Sequence, residues 1–122
     1  MALAKANLGY PVACVYNNTE TAVYTVTSST KTYIRSLLLH NTTSSNDITV
    51  SIHFVQNSQG QVGTVADSNM VAKITLTGTD TYFFELAYPF ILAANNDRVV
   101  VKNLSTTQGD TVNVTVLGDQ EA

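Results

Sequence analysis

Charge is what this sequence has least of: Asp, Glu, Lys and Arg together make up 12% of 122 residues, roughly half the usual share of a soluble protein. The six cations, Lys5, Lys31, Arg35, Lys73, Arg98 and Lys102, are scattered and the net charge is −3. They form no basic stripe to follow a phosphate backbone, so nucleic acid is not an expected partner. Cysteine occurs once, as Cys14, which excludes an internal disulfide framework. Its neighbours Val12, Ala13 and Val15 predict a buried, unreactive thiol. No apolar run approaches the roughly 18 residues of a membrane-spanning helix, so no membrane association is expected. The opening Met1-Ala2-Leu3-Ala4-Lys5-Ala6 lacks the apolar core of a secretion signal, so synthesis is expected in the cytoplasm. The sequons at Asn17, Asn41, Asn103 and Asn113 are then read as products of a Thr- and Asn-rich composition rather than glycosylation sites.

Convergent titratable groups are also scarce. Histidine occurs twice. His40 and His53 flank the Thr42–Asp47 loop on predicted strands and would approach one another across a hairpin. With Asp47 as the one further donor between them, they fall short of a three- or four-ligand metal site, so no metal or other cofactor is expected. Ser36 and Ser51 lie near these histidines in sequence, but no Gly-x-Ser-x-Gly elbow accompanies either. Asp80, Asp97, Asp110 and Asp119 occupy predicted turns, where Asp is used for backbone reasons. Glu85 interrupts Tyr-Phe-Phe-Glu-Leu and is expected on the outward face of a strand or paired with Arg35 or Arg98. The expectation is a protein that is not an enzyme. Tryptophan is absent, leaving Tyr82 and Tyr88 as stacking platforms for a glycan in an alternative reading as a glycan-binding module.

What the chain does have is alternation. Ile48-Thr49-Val50-Ser51-Ile52-His53-Phe54 and Val112-Asn113-Val114-Thr115-Val116 place an apolar residue at every second position. Successive strand residues face opposite ways, so Ile48, Val50, Ile52 and Phe54 can share a core while Thr49, Ser51 and His53 meet water or a partner. Similar runs are read at Val12–Tyr16, Ala22–Thr27, Tyr33–His40, Val71–Thr77, Tyr82–Leu86, Phe90–Ala93 and Val99–Asn103. Asn17-Asn18, Ser28-Ser29-Thr30, Thr42 to Asp47, Gly78-Thr79-Asp80, Asn95-Asn96-Asp97 and Gln108-Gly109-Asp110 separate them as turns. The predicted fold is all-β: an antiparallel β-sandwich or jelly-roll-like domain of eight or nine short strands over residues 12–122. An irregular N-terminal arm precedes it over residues 1–11.

Two segments break the strand rhythm and are the expected places for partner contacts. The arm carries Leu3, Leu8 and Tyr10 without a fixed period, and either reaches a neighbouring subunit or docks on its own domain. The stretch from Gln56 to Asn69 is too long for a hairpin turn and presents Gln59, Gln61, Val62 and Val65. Gly60 and Gly63 within it make no phosphate cradle, because no Lys follows and no helix begins there.

Tyr33 to Thr43 (Tyr-Ile-Arg-Ser-Leu-Leu-Leu-His-Asn-Thr-Thr), followed by the Ile48 to Phe54 strand, resembles the strand, Asn-Thr turn, strand hairpin of small β-sandwich proteins from tailed-bacteriophage virions. The chain end, Pro-Phe-Ile-Leu-Ala-Ala-Asn-Asn-Asp-Arg-Val-Val-Val and then Val-Asn-Val-Thr-Val-Leu-Gly-Asp, is similar to theirs as well. Asn96-Asp97 stands where those proteins usually carry Gly-Asp; Asn also accepts left-handed backbone. The resemblance covers about the last two thirds of the chain and is one of style rather than of a diagnostic motif. It implies a virion structural role on the capsid surface: a head decoration or cement protein that bridges major capsid subunits, with a head-tail connector or tail protein as the alternative. Its implied partners are the major capsid protein, other virion proteins and further copies of itself, as dimer or trimer.

Overall fold

The computed structural model describes residues 3–8, 11–26, 31–56, 63–93 and 96–121. Apolar alternation becomes strand throughout them. In chain order the strands are β1 (Leu3–Asn7), β2 (Val12–Val15), β3 (Thr19–Thr25), β4 (Thr32–Asn41), β5 (Ile48–Val55), β6 (Met70–Leu76), β7 (Thr81–Leu92), β8 (Arg98–Asn103) and β9 (Thr111–Glu121). Among the described residues one 3-10 turn is present, over Asp67–Asn69. Every pairing is antiparallel. The first sheet runs β1-β9-β4-β7, with β2 also on β9; the second runs β3-β8-β5-β6. The chain is the antiparallel two-sheet sandwich that its alternation predicts.

The core lies between the sheets. Ile48, Val50, Ile52 and Phe54 of β5 share it with Leu37 and Leu39 of β4, Val99 and Val101 of β8, and Val112, Val114 and Val116 of β9. Phe54 and Phe90 stack across it with ring centroids 4.4 Å apart and planes tilted by 45°, joining β5 in one sheet to β7 in the other. Cys14 is fully buried, as expected. Left-handed backbone falls in the predicted turns, at Asn17, Asn18, Thr79, Asn96 and Gly109. The Ser28-Ser29-Thr30 turn lies outside the described residues.

The topology departs from the sequence reading in four places. β4 and β5 belong to opposite sheets, so the Thr42 to Asp47 connection crosses between layers and is not a hairpin loop. Alternation sets which face of a strand is buried but is silent on which strand it pairs with.

Tyr82–Leu86 and Phe90–Ala93, read as two strands, are parts of one strand, β7. Its register on β4 jumps from Glu85 opposite Ser36 to Phe90 opposite Ile34, leaving Leu86 to Pro89 in a wide bulge. Pro89 has no N–H to give, and a bulge on the outermost strand is where that costs least.

The leader is also strand. Leu3–Asn7 pairs with Leu117 to Glu121 of the same chain, and Leu8 continues the ladder by donating its N–H to the Val116 carbonyl at 3.0 Å. β1 and β2 thus lie end to end along β9, satisfying main-chain groups that an eleven-residue strand would otherwise leave open.

Asp119, read in a turn, is inside β9. It is buried and paired with the half-exposed Arg35 guanidinium on the neighbouring β4. One position before it, Gly118 lies so close to β4 that a Cβ there would collide with the Tyr33 carbonyl oxygen.

Candidate functional site

β5 carries its apolar residues inward, so Thr49, Ser51 and His53 project from the outer face of the second sheet. Neighbouring strands add to this face in register. Lys102 of β8 and Lys73 of β6 lie directly opposite Ser51 on either side, and Glu20 of β3 lies opposite Lys102. One row therefore reads Glu20, Lys102, Ser51, Lys73, with the shortest side chain between two of the longest. The next row places His53 between Val100 and Met70.

The expectation that Ser51 and His53 meet water or a partner does not hold, because the chain covers them itself: Ser51 is 1% exposed and His53 2%. Thr64 to Asn69 folds over their end of the sheet, and its contacts fix the protonation pattern of the imidazole. Asn69 Nδ2 donates to the Thr64 carbonyl at 2.7 Å, and Asn69 Oδ1 accepts from the Ala66 N–H at 3.2 Å, which sets the orientation of the amide. His53 Nδ1 faces two acceptors, Asn69 Oδ1 at 2.9 Å and the Ala66 carbonyl at 3.1 Å. Nδ1 therefore carries the proton. Nε2 is left as an acceptor, and Ser51 Oγ, 2.9 Å away, donates to it. The result is a serine hydroxyl, imidazole and carboxamide linked in one direction.

A cleft of about 260 Å³ opens beside this chain of bonds. Ser51, His53, Lys73 and Lys102 line it together with the carboxylates Glu20 and Asp67. Neither lysine makes an ion pair among the described residues, whereas Lys31 pairs with Glu121 and Arg35 with Asp119. A second, larger groove of about 510 Å³ lies between the Ser45 to Asp47 and Leu104 to Thr107 loops. Of its two carboxylates, Asp47 and Asp110, the latter is already occupied, accepting from Asn46 Nδ2 at 2.9 Å and from Ser105 Oγ at 2.6 Å.

The residues singled out in the sequence are dispersed. Val65 lines the cleft. Leu8 is buried against its own domain rather than left for a partner, and the Leu3 backbone pairs with Glu121. Tyr10, Gln59, Gln61 and Val62 lie outside the described residues. His40 lies in the other sheet from His53, bonded to Thr81 Oγ1 at 2.8 Å. Glu85 is exposed on β7, and the ion pair of Arg35 is with Asp119 instead. No group of three His, Cys, Asp or Glu residues among those described is placed to hold a metal ion. Sequence reasoning missed Asn69 and the two lysines. The Ser-x-His spacing did signal one shared face, but nothing local marks Asn69 as the residue that closes over it.

Fold and site together define a β-sandwich with a polar cleft on one outer face. No family model matches the chain, and no curated protein matches it. Among solved structures it is similar to a chain in the structure of infectious bursal disease virus, Gx strain, at 11% identity and a TM-score of 0.44. The alignment covers 98% of this chain and 32% of the viral one, so this chain spans about a third of that neighbour's length.

Proposed function

We propose that this protein is a structural component of a tailed-phage virion, a decoration or cement protein that bridges major capsid subunits on the head surface. The phage assignment rests on the sequence resemblance. The structural observation that supports a contact role is β7. Among the described residues this twelve-residue strand is the outermost of its sheet, paired with β4 on one side only. Phe83 is 52% exposed, Ile91 47% and Tyr88, in the bulge, 86%. The Leu86 to Pro89 bulge blunts part of this edge, but Tyr82 and Phe83 stand on the regular Thr81 to Glu85 stretch. An unblunted stretch with exposed aromatics fits a chain whose neighbour in an assembly adds a strand or packs on those rings. Repetition over a lattice multiplies many such modest contacts.

The test is addition of the purified protein to expanded, undecorated capsids, with bound copies counted by quantitative mass spectrometry or cryo-electron microscopy. Saturable binding at a fixed stoichiometry to the major capsid protein is expected. One or a few copies per particle would move the assignment to the head-tail connector or the tail, and no binding would reject it.

A further inference from the structure

We propose that Ser51 is a nucleophilic serine, activated by His53 and served by Asn69, in a cleft that takes small acyl esters. The inference stands on the outer face of the second sheet and is independent of the assembly role of β7. Three relationships carry it. Ser51 Oγ donates to an imidazole nitrogen at 2.9 Å. The opposite nitrogen of that ring donates to Asn69 Oδ1 at 2.9 Å. Asn69 is itself held at both ends of its amide by Thr64 and Ala66. Nucleophile, base and orienting group thus stand in the order that serine nucleophiles require on unrelated folds, and such a site is recognised by geometry rather than by sequence position.

A structural peg would need only the Nδ1 side of the ring. Here Nε2 is also used, on a hydroxyl at the floor of a cleft, and that hydroxyl lies between two lysines without ion-pair partners among the described residues. Their ammonium groups are the cations available to meet a developing oxyanion, against the carboxylates of Glu20 and Asp67 that line the same cleft. Because Ser51 is 1% exposed and the cleft holds about 260 Å³, the acyl group has to be small.

The step is a balanced acyl transfer. Ser51 Oγ bonds to the ester carbonyl carbon as its proton passes to His53 Nε2. The ester C–O bond then breaks, and the departing alcohol takes that proton. Water, giving a proton to the same nitrogen, adds to the acyl carbon. The bond to Oγ breaks, Oγ recovers the proton, and a carboxylic acid is released. Asn69 is a positioning residue that holds Nδ1–H, so that Nε2 remains the acceptor.

Methanesulfonyl fluoride, small enough for the cleft, and p-nitrophenyl acetate are the probes, applied to the full chain and read by peptide mass mapping and p-nitrophenol release. The sulfonyl fluoride should form one adduct, on Ser51, in folded but not urea-unfolded protein. His53→Gln should slow both reactions by about 100-fold or more, the usual contribution of a general base. Asn69→Asp should speed them, because a carboxylate stabilises the imidazolium as it forms, and a merely structural Asn69 would not give that gain. Thermal unfolding of each variant shows that it is folded. Absence of a Ser51 adduct in folded wild type, an unchanged rate in folded His53→Gln, or undiminished p-nitrophenol release by Ser51→Ala would each overturn the proposal.

Discussion

The His53 imidazole donates to the Asn69 carboxamide oxygen at 2.9 Å and so ties two residues sixteen positions apart to one point on the outer face of the second sheet. That bond, with a second acceptor on Ala66, ties Thr64 to Asn69 to β5 between flanks held by the Arg98 bond to the Gly63 carbonyl and by the pairing of Met70. Replacing His53 by Ala removes both anchors and leaves the buried Ser51 hydroxyl without its acceptor. Unsatisfied buried groups cost about 1–3 kcal/mol each, so a stability loss of that order is expected in urea unfolding. Amide exchange should quicken over residues 64–69 and stay slow in β9. Unchanged protection of that segment would show that it is held by something other than His53.

Leu38 and Leu39 are neighbours on β4 with opposite fates, 39% exposed and fully buried. Leu39→Ala should cost about 2–5 kcal/mol, the transfer and cavity terms of a core truncation. Leu38→Ala should stay within roughly 1 kcal/mol. Equal losses in chemical denaturation would mean that the outer face of β4 is covered in solution.

Burial pushes the Cys14 thiol up to about 12 from 9.0, with a hydrogen bond from Thr21 partly opposing it. The raised value favours the neutral thiol in the folded state. Its stabilising contribution is therefore complete below the unfolded thiol's pKa and is lost as pH rises from there towards the folded value. At pH 10 the loss should be about 1.4 kcal/mol relative to pH 8. Comparing wild type with Cys14→Ala in urea at both pH values isolates this term. The folded protein should also resist thiol-disulfide reagents until denatured.

Phe83 and Ile91 stand out from the edge strand at 52% and 47% exposure. Because neither belongs to the central core, a Phe83→Glu, Ile91→Glu double variant should keep its unfolding midpoint to within a few degrees. It should bind expanded capsids at least tenfold more weakly. Full retention of binding would remove β7 from the contact surface.

Gly118→Ala should destabilise by about 1–3 kcal/mol, because the added methyl can be accommodated only if β9 moves away from the Tyr33 carbonyl. Thermal unfolding reads the loss, and a neutral substitution would mean that β4 and β9 separate easily at this point.

Most strands were legible because alternation is a local property: Ile48 to Phe54 and Val112 to Val116 announce both extended backbone and the face that is buried. Turns were legible where Asn or Gly accepts left-handed backbone, as at Asn17, Asn18, Asn96 and Gly109. The leader was not legible, since Leu3–Asn7 has no period and becomes strand only because β9 has main-chain groups to satisfy. β7 was divided at Pro89 because a proline ends a strand on local rules, while an edge bulge accommodates it.

The sequence by itself determined the class of this protein. Alternating apolar residues must be buried on one side of an extended chain, and a chain made almost wholly of such runs closes into two layers. Tertiary structure alone decided that β4 and β5 part into opposite sheets, that Asp119 meets Arg35, and that Ser51 and His53 are roofed by Thr64 to Asn69. These are contacts between residues distant in sequence. Their partners are chosen by which strand edges and loops the closed core brings together, and no local pattern of side chains carries that information.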